Sequence, residues 1–226
     1  MAISYDSIVP WGRALDEYVS MFALSASDLG KSILGCGDGP ASFHCDLRRR
    51  GGRVVSVDPV YALSAPAIRR RIEETCEAVV DQTRRHMDRF VWGRIRDVEH
   101  LKAVRLAAME TFLDDFETGK REGRYVVAGV PDLPFANDTF DLCLSSHFLF
   151  LYSDKLSCDF HVQALGEMLR VAGEVRVFPL CDVNARRSTH VEPVIRHFRD
   201  KGLDVAEVAV DYEFQVGGNT MLRLRH

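Results

Sequence analysis

The sequence has no Cys-x-x-Cys pair and no zinc-type spacing among its six cysteines, at 36, 45, 76, 143, 158 and 181, so no metal or dithiol centre is expected. It has no apolar run near the roughly 20 residues that a membrane helix needs, and no signal-peptide pattern. Reduced cysteines in a cytoplasmic protein, away from membranes, are the expectation. There is no internal repeat. There is also no excess of basic residues: 29 Lys and Arg stand against 33 Asp and Glu, a net charge of -4, so general electrostatics gives no support for nucleic-acid binding. What remains is the composition of an ordinary globular enzyme, and 226 residues suffice for one large α/β domain.

The stretch on which the rest depends is Ile33-Leu34-Gly35-Cys36-Gly37-Asp38-Gly39-Pro40, which ends a short apolar run. Three glycines at alternate positions let the backbone approach a ligand and take up positive φ. Pro40 fits a first helical position, so the pattern predicts a helix from Pro40 to about Arg50, its dipole aimed back at the loop. Gly51-Gly52 ends that helix, and 53 to 58 reads as the next strand, closing on Asp58-Pro59. A carboxylate there is placed to bind the ribose hydroxyls of a nucleotide-like cofactor. The loop lacks the Gly-Lys-Ser/Thr ending of a phosphate-binding loop, and Pro40 replaces the third glycine of a dinucleotide site. A nucleoside cofactor without an obligatory pyrophosphate is left.

These residues resemble the first and second motifs of the class I S-adenosylmethionine-dependent methyltransferases. So does Asp132-Leu133-Pro134-Phe135-Ala136-Asn137-Asp138-Thr139-Phe140-Asp141-Leu142, which is similar to that family's passage from third to fourth strand. The resemblance implies a single α/β, Rossmann-like, seven-stranded methyltransferase domain over 1 to 226. Its sheet would be mainly parallel, with a C-terminal antiparallel hairpin. It implies that the cofactor is S-adenosyl-L-methionine, held by the loop Gly35, Cys36, Gly37 and Gly39, by Asp58 with Pro59, and by Gly129, Val130 and Leu133 around adenine. Two family acids are missing: Ile33 stands where the first motif usually has one, and Gly129 where the adenine-side acid falls.

Along the chain, strands are predicted at 31 to 36, 53 to 58, 125 to 128, 141 to 146, 174 to 179, 205 to 214 and 220 to 224. An amphipathic helix covers Arg13 to Leu24. The long stretch from 62 to 120 reads as a helical insertion within the domain. Ser146 and His147 end the fourth strand, where an open parallel sheet places its ligand loops. His147 is the candidate catalytic acid or base, its ordinary pKa permitting either state near neutrality. Tyr152 and Arg186 are candidate substrate contacts. The expected activity is methyl transfer to a small molecule. RNA is the second-ranked acceptor, resting on arginines 69 to 71 and 84 to 85, and a cofactor-binding regulatory protein without transferase activity is the third reading.

Overall fold

The computed structural model describes residues 9–226. In chain order its elements are α1 (Leu15–Met21), α2 (Ala26–Leu29), β1 (Ser32–Cys36), α3 (Phe43–Arg49), β2 (Arg53–Val57), α4 (Ala65–Arg85) and α5 (Val98–Arg121). There follow β3 (Tyr125–Val126), β4 (Phe140–Ser146), α6 (Cys158–Val171), β5 (Ala172–Phe178), α7 (Val191–Asp200), β6 (Asp204–Ala209) and β7 (Thr220–Arg225). The seven strands form one sheet in the order β3-β2-β1-β4-β5-β7-β6. The first five are parallel, and β7 lies antiparallel between β5 and β6. The predicted mixed sheet and terminal hairpin are therefore present.

The central strands are apolar on both faces because helices cover both. Leu34, Cys143, Val175 and Val177 face a core completed by Leu165 and Met168 of α6 and Val194 and Phe198 of α7. Their neighbours Ile33, Leu142, Leu144 and Phe178 face the opposite core, completed by Tyr18 and Phe22 on or beside α1 and by Phe43 and Leu47 of α3. A third cluster, Tyr61, Ile68, Ile72, Met109, Phe112, Phe116 and Tyr125, fixes α4 and α5 beside β3. Because β1 and β4 pair while their crossovers run to opposite sides, the carboxyl ends of β1, β2 and β4 open a crevice at the point where strand order reverses.

Two local expectations are corrected. The helix after the glycine loop starts at Phe43 and not at Pro40. Gly39 has φ +54°, donates its N–H to Asp58 Oδ2 (2.9 Å) and accepts the Tyr61 hydroxyl on its carbonyl (2.8 Å), which holds residues 39 to 42 off the helical path. The sixth strand stops at Ala209, short of 214. Beyond it Tyr212 turns inward to donate to Glu17 Oε1 (2.8 Å), and the Phe214 carbonyl accepts the Val91 N–H (2.7 Å).

Glu17 is the pin joining α1, α5 and that hairpin. Fully buried Arg105 of α5 donates Nη1 to Glu17 Oε2, opposite the Tyr212 hydroxyl on Oε1. Burial alone would raise the Glu17 pKa, but the Arg105 guanidinium outweighs it and holds the carboxyl down at about 2. The folded carboxyl thus binds its proton less readily than the unfolded one, near 4.5, so its stabilisation is complete above pH 4.5 and is lost as pH falls towards 2. We expect Glu17→Gln to lose roughly 3 to 5 kcal/mol in urea unfolding at pH 7, because Arg105 is left buried without its carboxylate. The deficit should shrink at pH 3; a variant as stable as wild type at pH 7 would contradict the assignment.

Candidate active site

The crevice holds a cavity of about 380 Å³ whose wall includes Gly37, Gly39, Asp58, Pro59, Gly129, Val130, Ser146 and His147, eight of the residues expected from sequence. Gly37 (φ +71°) and Gly39 (φ +54°) both need the left-handed conformation that glycine adopts without strain. A β-carbon on Gly37 would stand 3.0 Å from the Phe148 ring, and one on Gly129 would stand 3.2 Å from Pro59. That second contact makes any side chain at position 129 tight against the Pro59 ring. Asp58 accepts the N–H groups of Gly39 and Val60 (2.9 and 2.8 Å), and burial raises its pKa in spite of them.

Other expected residues lie elsewhere. Gly35 is absent from the wall because the Asp38 carboxylate folds back over it, so that a β-carbon there would meet Asp38 Oδ2 at 1.8 Å. Cys36 points into the core, its sulfur 3.6 Å from that of Cys143. Leu133 is buried in the α6-side core, and Arg186 is exposed on a turn away from both the cavity and its neighbour. All six cysteines are free thiols. Among the described residues no three His, Cys, Asp or Glu side chains are grouped to hold a metal ion, and no helix is long and apolar enough to cross a membrane.

The residue that sequence reasoning passed over is Asp38. Its buried carboxylate accepts the Tyr18 hydroxyl on Oδ1 (2.9 Å) and the Ser56 hydroxyl on Oδ2 (2.7 Å), and it borders the cavity. Desolvation, with a smaller push from Asp58, outweighs those two donors and raises its pKa to about 6. An acid within the glycine triplet, five positions after the missing one, was the available signal. Arg13 and Trp11, also in the wall, had none.

A second cavity, about 100 Å³, adjoins the first through Val9, Trp11, Arg13 and His147. Tyr152 lines it with Thr83, Gln215, Leu101, Leu151, Val183 and the stacked rings of Phe90 and Phe214, 5.0 Å apart. His147, at φ +53°, sits in the wall common to both. Its Nδ1 lies 2.8 Å from Ser146 Oγ. Burial, reinforced by the cations Arg13 and Arg105, pushes its pKa well below the usual 6.5, so the imidazole is neutral at pH 7.

No model of a known protein family matches the chain. It is 30% identical over 219 residues to the uncharacterized protein MJ0045 of Methanocaldococcus jannaschii, an alignment covering 95% of this chain and 94% of that protein. Magnesium protoporphyrin IX methyltransferase (ChlM) from Synechocystis PCC 6803, with bound SAM, shares the fold: TM-score 0.50 at 10% identity, over 94% of this chain and 77% of that one. The architecture is that of the class I methyltransferases.

The raised Asp38 pKa has a consequence for stability. Because the folded carboxyl keeps its proton to about pH 6 and the unfolded one only to 3.8, its contribution is complete below 3.8 and is lost as pH rises through 6. Compared with Asp38→Asn, the ligand-free wild type should lose about 2 kcal/mol between pH 4 and pH 6.5 in urea unfolding. Parallel stability profiles for the two proteins would show that Asp38 titrates normally.

Proposed function

The chain belongs to one family with the Methanocaldococcus jannaschii protein, and we propose that it transfers a methyl group from S-adenosylmethionine to a small molecule. The observation that carries this reading is the convergence, on one cavity at the strand-order switch point, of two positive-φ glycines, a ribose-type acid at the end of β2 and a buried carboxylate beside them. The residues present suit the donor. Gly37 and Gly39 offer bare backbone, Asp58 the hydroxyl acceptor, and Gly129 and Val130 a flat apolar edge for adenine. Asp38 supplies the acid that Ile33 does not, and suits the ammonium of the methionine end.

When bound, the donor supplies a methyl group activated on a sulfonium. The protein's part is to hold the acceptor nucleophile in line and to exclude water. Neutral His147 is placed to orient, by a hydrogen bond, an acceptor held in the adjoining cavity. That cavity also favours turnover over a purely regulatory role, since an acceptor volume is present beside the donor wall. The RNA reading draws little support from the helix arginines: Arg69 pairs with Glu110, and Arg84 with Asp81 and Glu99 (both 2.8 Å). The 62 to 120 segment, in this reading, is an insertion that roofs the acceptor side.

Calorimetry with S-adenosylhomocysteine tests the donor site. Asp58→Ala should weaken binding tenfold or more, about 1.4 kcal/mol. Since an ammonium ligand requires ionised Asp38, wild-type affinity should be about tenfold lower at pH 5 than at pH 7.5. Asp38→Asn should bind weakly with no such pH dependence. Binding of NAD in place of S-adenosylhomocysteine, sensitive to Asp58→Ala, would overturn the assignment.

A further inference from the structure

The smaller cavity carries information about the acceptor. Its walls are mostly apolar, and its polar groups are nearly all committed: the Thr83 hydroxyl donates to the Val79 carbonyl (2.9 Å), and the Gln215 amide donates to the Asp182 carbonyl (2.9 Å) and accepts from Cys181. The Tyr152 hydroxyl accepts the Val9 N–H (3.2 Å). Arg13 differs. Nη1 donates to the Trp11 carbonyl (2.8 Å), whereas its buried Nε has no hydrogen-bond partner.

The charge balance behind Arg13 points the same way. Arg13 and Arg105 share the single carboxylate of Glu17, and Arg105 leaves its own Nε and Nη2 without partners. Arg105 is fully buried and Arg13 half-buried, so one largely desolvated positive charge is in excess. The charged groups that act on His147 are Arg13 and Arg105, both cations. A desolvated cation short of a partner favours an anion and repels an ammonium.

Resting on the donor reading above, we propose that the acceptor is a compact acid, a carboxylic acid or phenol on a ring-sized apolar frame, methylated on its acidic oxygen, with Arg13 as its charge partner. The size follows from the cavity: about 100 Å³ open to the donor side is comparable with the roughly 150 Å³ that receives a benzene ring. Phe90 and Phe214 give such a frame a flat apolar wall. A phenol gives its proton to solvent as Arg13 stabilises the phenolate; a carboxylic acid arrives already ionised. The oxygen then bonds to the methyl carbon as the carbon–sulfur bond breaks, its electron pair staying on sulfur. Ether or ester and S-adenosylhomocysteine are the products.

The test is calorimetry on the full chain saturated with S-adenosylhomocysteine, titrated with benzoate, phenol and benzylamine. At least one of the two acids should bind tenfold or more tighter than benzylamine, and which one binds tells carboxylate from phenol. Arg13→Gln should lose that acid by tenfold or more beyond any change in its S-adenosylhomocysteine affinity, and Arg13→Lys should recover part of the loss. Benzylamine binding as well as either acid, or neither acid binding, overturns the proposal and leaves the donor site standing. If Arg13→Gln loses S-adenosylhomocysteine and keeps the acid, Arg13 serves the donor and the proposal is wrong. Failure of wild type to bind S-adenosylhomocysteine removes the donor reading and this proposal with it.

Discussion

Burying the Asp38 carboxylate inside a glycine loop constrains much of the surrounding structure, because each of its neighbours must donate to it. Arg124 can only donate, so the 3.1 Å contact between its Nη1 and His44 Nε2 makes Nε2 the acceptor. The His44 proton is then on Nδ1, which faces Ser56 Oγ at 3.2 Å, and Ser56 passes its own hydrogen to Asp38. Burial beside Arg124 holds the His44 pKa at about 3, so the ring stays neutral and the direction of the chain is fixed. The far end is anchored by Asp115, which accepts both Nη atoms of Arg124 and the Tyr125 hydroxyl. One relay therefore links α5, β3, α3 and β2 to the loop, and Tyr18 adds α1 from the other side.

The crevice is polarised as a result. At the glycine loop the wall carries Asp38 and Asp58; at the shared wall with the smaller cavity it carries Arg13 and neutral His147. Arg71 adds a cation beside Asp58, and in the proposed reading the amino group of the donor faces Asp38 while an anionic acceptor faces Arg13. The segment 87 to 95 completes this second chamber from outside. It is stitched to the hairpin by Val91 N–H to the Phe214 carbonyl (2.7 Å) and Val216 N–H to the Arg89 carbonyl (2.9 Å), which bring Phe90 against Phe214. The strap thus adds Phe90 to a chamber that α4 and α5 already line directly through Val79, Thr83 and Leu101.

The sheet was legible because buried parallel strands are continuous apolar runs bounded by glycine and acid, as at Ile33 to Cys36 and Val54 to Asp58. Where tertiary contacts decide the backbone, local pattern was insufficient: Pro40 is helix-compatible, yet Gly39 is held by Asp58 and Tyr61, and residues 210 to 214 alternate like a strand while Tyr212 and Phe214 are drawn to other partners. Within the site, spacing located the glycine loop, Asp58 and His147. It did not show that Asp38 covers Gly35, that Cys36 and Leu133 face the core, or that Arg13 lies at the wall between two cavities. Those facts depend on side-chain direction and on residues distant in sequence.

A crystal structure of the chain with S-adenosylhomocysteine tests the two-chamber account most directly. The account predicts ribose hydroxyls on Asp58, the amino group facing Asp38, and the sulfur at the wall shared by the two cavities beside His147. A ligand bound in another orientation, with its sulfur away from the smaller cavity, would contradict it.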